Sequence, residues 1–143
     1  QKLLGRVDDQ GLSEADLLVS AHANRVPVLD GHTVSLSVGF ERAPTPEAAL
    51  EVLTRYQPPE VCRQLPSSPE RVLHVRTEPD RPQPRRDRDT GGGMVISVGR
   101  VRPCPLLDLR LTTVTHNTLR GAAGGAVLNA ELLVTQGYTD GIA

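Results

Sequence analysis

Reactive side chains gather in Asn24-Arg25-Val26-Pro27-Val28-Leu29-Asp30-Gly31-His32-Thr33, where an arginine and a histidine bracket a segment that cannot run as a plain strand. Pro27 lacks the N–H that a central ladder requires, and Asp30-Gly31 is a turn signal. Fully extended, the stretch from Arg25 to His32 spans at most about 25 Å, so the two side chains share a site only if the bend folds the chain back between them. Arg25 would then offer a planar fork to a carboxylate, and His32 a proton acceptor and donor near neutral pH. The competing assignment for a histidine at the start of a strand is a structural or surface residue.

Other groups point less sharply. The two cysteines, Cys62 and Cys104, make neither a disulfide framework nor a thiolate metal site. His22 and His74 have no partners at metal-ligand spacing and read as structural or exposed. Gly91-Gly92-Gly93 follows a charged loop and precedes a strand, the reverse of a dinucleotide cradle. In that charged loop Arg76, Arg81, Arg85, Arg86 and Arg88 stand against Glu78, Asp80, Asp87 and Asp89 with no aromatic between them, which fits internal ion pairs at a protein interface better than an RNA groove.

The elements that must position these groups follow from periodicity. Val34, Leu36, Val38 and Phe40 alternate, giving a strand over 33–40 that starts beside His32. Thr45-Pro46-Glu47 is a cap, a first-turn proline and a first-turn acid, opening a helix over 46–56 that Pro58-Pro59 stops. Residues 72–75 read as a short strand; 76–93 can hold no regular structure for long; alternation gives strands over 94–102 and 107–114, and a small-residue helix follows over 118–136, ended by Gly137. Asn117 sits where that helix needs an N-cap. Gln1-Lys2-Leu3-Leu4 reads as the inside of an amphipathic helix, with Lys2 solvated and the chain beginning mid-protein. The expected architecture is α+β, a mixed sheet with helices on one face.

Composition excludes several classes. At 143 residues and 15.4 kDa the chain is one domain long, and Lys+Arg 16 against Asp+Glu 17 leaves −1, with no field to collect nucleic acid or an anionic membrane. Aromatic content of 2% weakens any base-stacking role and makes the core aliphatic. No apolar run approaches the roughly 20 residues of a membrane span, and no leader opens the chain, so a cytoplasmic location is expected.

Three blocks together resemble the aspartate-semialdehyde dehydrogenases: Asn24-Arg25-Val26-Pro27-Val28 with Gly31-His32-Thr33; Asp80 to Arg85 with Asp87-Arg88 and Val98-Gly99-Arg100; and His116-Asn117-Thr118-Leu119-Arg120-Gly121-Ala122-Ala123-Gly124-Gly125. The resemblance implies a glyceraldehyde-3-phosphate-dehydrogenase-like C-terminal domain without its dinucleotide-binding half, with 1–116 as the catalytic and dimerisation domain and 117–143 a helix packing on the missing nucleotide domain. It implies NADP as cofactor, aspartyl phosphate, aspartate semialdehyde and phosphate as reactants in amino-acid biosynthesis, and a homodimer or homotetramer. His32 resembles the family's general acid/base and Arg25 its carboxylate-gripping arginine. Lys2 resembles the lysine of an E-x-x-K helix that holds the substrate anion, and Asn117 the asparagine that meets the nicotinamide.

The departures are equally specific. Neither Cys62 nor Cys104 stands in the N-C-T/S turn of the family's nucleophile, and no glycine fingerprint is present. The nucleophile and nucleotide domain are therefore expected outside this chain, which alone should not turn over. A related acyl-thioester reductase such as a malonyl-CoA reductase, and a non-catalytic oligomerisation module, are the alternatives.

Overall fold

A computed structural model describes residues 2–21 and 24–141; His22 lies outside the described residues. A small antiparallel hairpin, β1 (Arg6–Asp8) and β2 (Gly11–Ser13), precedes the main sheet. That sheet comprises β3 (His32–Val38), β4 (Leu73–Arg76), β5 (Ile96–Pro103) and β6 (Leu109–Thr115) in the order β3-β6-β5-β4. β4 runs parallel to β5, whereas β5–β6 and β6–β3 are antiparallel. The helices are α1 (Pro46–Arg55), α2 (Glu60–Arg63), α3 (Pro84–Asp87) and α4 (Gly124–Thr135). The mixed sheet with helices is the architecture expected.

Local chemistry sets the boundaries. Thr45 Oγ1 accepts from the Ala48 N–H at 3.2 Å and Pro46 occupies the first turn of α1, as its capping sequence requires. Half-buried Pro46, Ala49, Leu50 and Leu53 form one stripe, and α1 packs on β4 and β5. β3 stops at Val38 and not at Phe40, because the Phe40 N–H is taken by the Asp108 carboxylate at 2.7 Å. β5 starts at Ile96 and not at Met94, because the Met94 and Val95 N–H groups bond back to Gly91 and Thr90. The helix expected over 118–136 opens as one π turn, Leu119–Ala123, before α4, and ends at Gly137 (φ +77) with Tyr138 N–H bonding Leu133 O and Gly137 N–H bonding Val134 O.

Three local features depart from the periodicity. The opening residues make a single 3₁₀ turn over Lys2–Leu4, then the β1–β2 hairpin, so the amphipathic helix read there does not extend beyond Leu4. α2 and α3 are one-turn helices too short for an apolar period to register. The core is aliphatic, with Leu65, Val72, Val95, Val98, Leu109 and Val114 buried, and Val114 wholly so.

Residues 76–93 are ordered by a charge. Asp87 is fully buried, and its carboxylate accepts from Arg81 Nε at 2.7 Å, from Arg81 Nη2, and from the Gln83 N–H at 2.6 Å, with Arg76 Nε 2.9 Å away. Burial pushes this carboxyl up, but the Arg81 fork, the Gln83 amide and the Arg76 charge together hold it below the usual carboxylate range. The internal ion pairs expected of this segment are present, centred on one acid. Gly93, at φ +79, brings the turn after α3 so near the C-terminal segment that an added Cβ would lie 2.5 Å from Leu119 Cδ1.

Candidate active site

The bend between Arg25 and His32 closes as its residue types require. Val28 N–H bonds Val26 O at 2.9 Å across Pro27, and Gly31 takes φ +109, a conformation side chains rarely adopt. Gly31 is buried against α3: a Cβ there would meet Pro84 Cβ at 3.1 Å and Arg88 Cβ at 3.5 Å. The Asp87 clamp fixes α3, and α3 in turn backs the bend. From the other side the Gly31 N–H donates to Asn117 Oδ1 at 2.8 Å.

The result is a cavity of about 170 Å³ lined by Arg25, Asp30, Gly31, His32 and Asn117 together with Asn24, Val26, Val28 and Leu29. Arg25, His32 and Asn117 are thus brought together. Lys2 is exposed in its 3₁₀ turn and does not line this cavity. Arg25 and His32 are exposed and have no acidic partner within ion-pair distance among the described residues. The site therefore offers an unpaired guanidinium, an imidazole and an amide around one concavity, a set suited to holding a carboxylate beside a proton-transfer step.

Asn117 does not cap the helix. That task falls to His116, whose Nδ1 accepts from the Thr118 and Leu119 N–H groups at 3.2 and 3.3 Å while Nε2 faces Asp89 Oδ1 at 3.8 Å. Asn117 is left to bridge to the bend, its Oδ1 engaged and its Nδ2 without a partner among the described residues. Sequence reasoning missed both the cap and the bridge; the adjacent pair His116-Asn117 before a helix was the available signal. It also missed Asp87, whose position within an arginine- and proline-rich run was the only sign.

The remaining reactive groups lie elsewhere. Cys62 is on α2 and Cys104 between β5 and β6; both are free thiols and neither lines the cavity. The Leu106 and Leu107 amides hold the Cys104 thiol below its usual range. His74, on β4, is exposed and pushed down by partial desolvation and by Arg76. Among the described residues no group of His, Cys, Asp and Glu could hold a metal ion, and no helix is long and apolar enough to cross a membrane.

Residues 1–120 match the semialdehyde dehydrogenase dimerisation-domain family, and the chain belongs to that family. An aspartate-semialdehyde dehydrogenase of Archaeoglobus fulgidus is 47% identical over 135 residues, covering 94% of this chain and 38% of that protein. One from Candida albicans is 42% identical over 140 residues, covering 93% and 38%. The crystal structure of aspartate semialdehyde dehydrogenase with NADP from Candida albicans superposes with a TM-score of 0.85 at 40% identity, over 96% of this chain and 40% of that one. Aspartate semialdehyde dehydrogenase II from Vibrio cholerae gives 0.62 at 29% identity, over 78% and 29%. The chain thus spans about two-fifths of the length of the relatives it matches.

Proposed function

We propose that this chain is the substrate-binding, acid/base and dimerisation part of an NADP-dependent aspartate-semialdehyde dehydrogenase, the oxidoreductase that converts aspartyl-4-phosphate to aspartate 4-semialdehyde and phosphate. The observation that carries the proposal is the meeting of Arg25, His32 and Asn117 at one cavity, in a chain that is 47% identical to an enzyme of that name. Arg25 grips the substrate carboxylate through two parallel N–H···O contacts. His32 takes a proton from the attacking thiol, which belongs to the nucleotide-binding half, and returns one as the product forms. Lys2 stands outside that cavity, and its role toward the substrate anion is supported by the family resemblance alone.

Asn117 fits the cofactor's carboxamide through the one group it has left, the Nδ2 donor. NADPH, when bound, supplies the hydride. Two free thiols accord with a reducing, cytoplasmic setting.

We place the domain boundary near residue 116. Glu131 of α4 accepts from Ser67 N–H and Oγ, tying one side of the helix to this domain. Val127, Leu133 and Val134 remain exposed and would meet the nucleotide-binding half. The uncovered apolar face of β3 suits a homodimer.

The test is His32→Asn in the intact enzyme, assayed as phosphate-dependent oxidation of the semialdehyde. We expect kcat to fall about 10²- to 10³-fold, with substrate binding and Tm retained. A variant turning over at the wild-type rate would remove His32 from the chemistry.

A further inference from the structure

Among the described residues the buried polar side chains are Asp87, Ser97 and His116. Asp87 is accounted for by its arginine clamp, and Ser97 has no contact with the residues that line the Arg25–His32 cavity. His116 stands one position before Asn117, which lines that cavity and bridges to Gly31. The reaction as proposed gives His116 no part.

Its ring is held on every side. Nδ1 accepts from the Thr118 and Leu119 N–H groups at 3.2 and 3.3 Å, and the His116 carbonyl accepts from the Gly121 N–H at 2.9 Å. Cδ2 lies against Gly93, where an added Cβ would be 3.2 Å away, and Nε2 faces Asp89 Oδ1 at 3.8 Å. A nitrogen that accepts two N–H groups keeps its lone pair free, so this bond pattern assigns the neutral ring with its one proton on Nε2.

The bond from the Thr118 N–H back to His116 Nδ1 closes a loop of atoms that runs through the backbone of Asn117 alone. Both soft dihedrals of Asn117 lie inside that loop, which sets the direction of its side chain. The same bonds settle a competition. Asparagine before a helix ordinarily turns its Oδ1 onto the first amides, yet here His116 occupies them and Asn117 Oδ1 accepts from the Gly31 N–H, 2.8 Å away on the bend.

We infer that His116 is a positioning residue for Asn117: by holding the first helix amides it withholds them from the Asn117 side chain and leaves that side chain to the Gly31 bridge and the cavity. The inference rests on the reading of Asn117 as a cofactor contact.

In the intact enzyme, two substitutions divide the functions of the ring. His116→Asn keeps an acceptor where Nδ1 stands, whereas His116→Gln keeps a polar group toward Asp89 and loses that acceptor. NADPH affinity, read by fluorescence titration, should be near wild type in His116→Asn and about fivefold weaker in His116→Gln, the worth of one helix cap. On top of Asn117→Ala, His116→Gln should weaken binding no further, because the side chain it acts through is gone. His116→Ala serves the same comparison if the glutamine variant does not fold. Wild-type affinity in His116→Gln, a His116→Asn enzyme as impaired as His116→Gln, or the full fivefold loss repeated in the Asn117→Ala background would overturn the assignment of His116. If Asn117→Ala alone binds NADPH as the wild type does, the cofactor reading of Asn117 fails first; a weakened Asn117→Ala beside a normal His116→Gln removes His116 alone.

Discussion

Arg25 carries its charge at the rim of the cavity without an acid to neutralise it, so its value lies in what it receives from solution. Replacing it by lysine keeps the charge and loses the fork. We expect Arg25→Lys in the intact enzyme to lower kcat/KM about tenfold or more, the worth of one charge-assisted hydrogen bond, with KM for NADP unchanged; steady-state kinetics at varied semialdehyde check this, and wild-type kcat/KM would remove Arg25 from the site. That Arg25 and His32 share one cavity was legible in the sequence because the bend that joins them is local and its proline and glycine announce it. Asp87 was not, since its carboxylate takes its meaning from two arginines that the fold brings to it, and His116 was not, since the asparagine beside it is the commoner cap for the amides of Thr118 and Leu119.

At the scale of elements, α3 is a single turn with no apolar stripe, and what holds it in place is the carboxylate at its end. Asp87→Asn keeps the volume but removes the buried counter-charge nearest Arg76 and Arg81, both mostly buried, and leaves them only the half-exposed Glu78 at 3.9 and 4.0 Å. Breaking a buried pair in this way costs about 3 kcal/mol, visible as a lower urea midpoint. Because the folded carboxyl titrates below its unfolded value, Asp87 stabilises the fold above about pH 4, and that stabilisation disappears as pH falls through the lower folded value. The wild-type stability curve should therefore show an acid limb that Asp87→Asn flattens; equal limbs would show that Asp87 contributes nothing. The long elements were readable from alternation and capping, and strand ends slipped by one or two residues wherever a side chain or a glycine turn captured the next amide. The β1–β2 hairpin escaped because a three-residue strand with no buried position carries no period.

At the scale of the molecule, β3 is an edge strand whose apolar side chains Val34 and Leu36, with Phe40 beyond its end, stay 40–46% exposed. Pairing like faces about a two-fold axis buries such a surface. Light scattering of this chain at micromolar concentration should give about twice the 15.4 kDa chain mass, and a clean monomer would refute self-association of this domain. The Gly31–Asn117 hydrogen bond has a further consequence, in the order of folding. β5 and β6 are joined by a short turn and close at small entropic cost, whereas the Gly31 amide finds its acceptor 86 positions away. The edge strand that carries His32 is then zipped on after β5 and β6 have paired, so the Gly31 amide should exchange its hydrogen with solvent at the rate of β3 release, ahead of the β5–β6 amides. A cavity assembled at an edge of its own sheet is made durable by whatever covers that edge, so on the proposed function the lifetime of the Arg25–His32 geometry follows the lifetime of the proposed dimer.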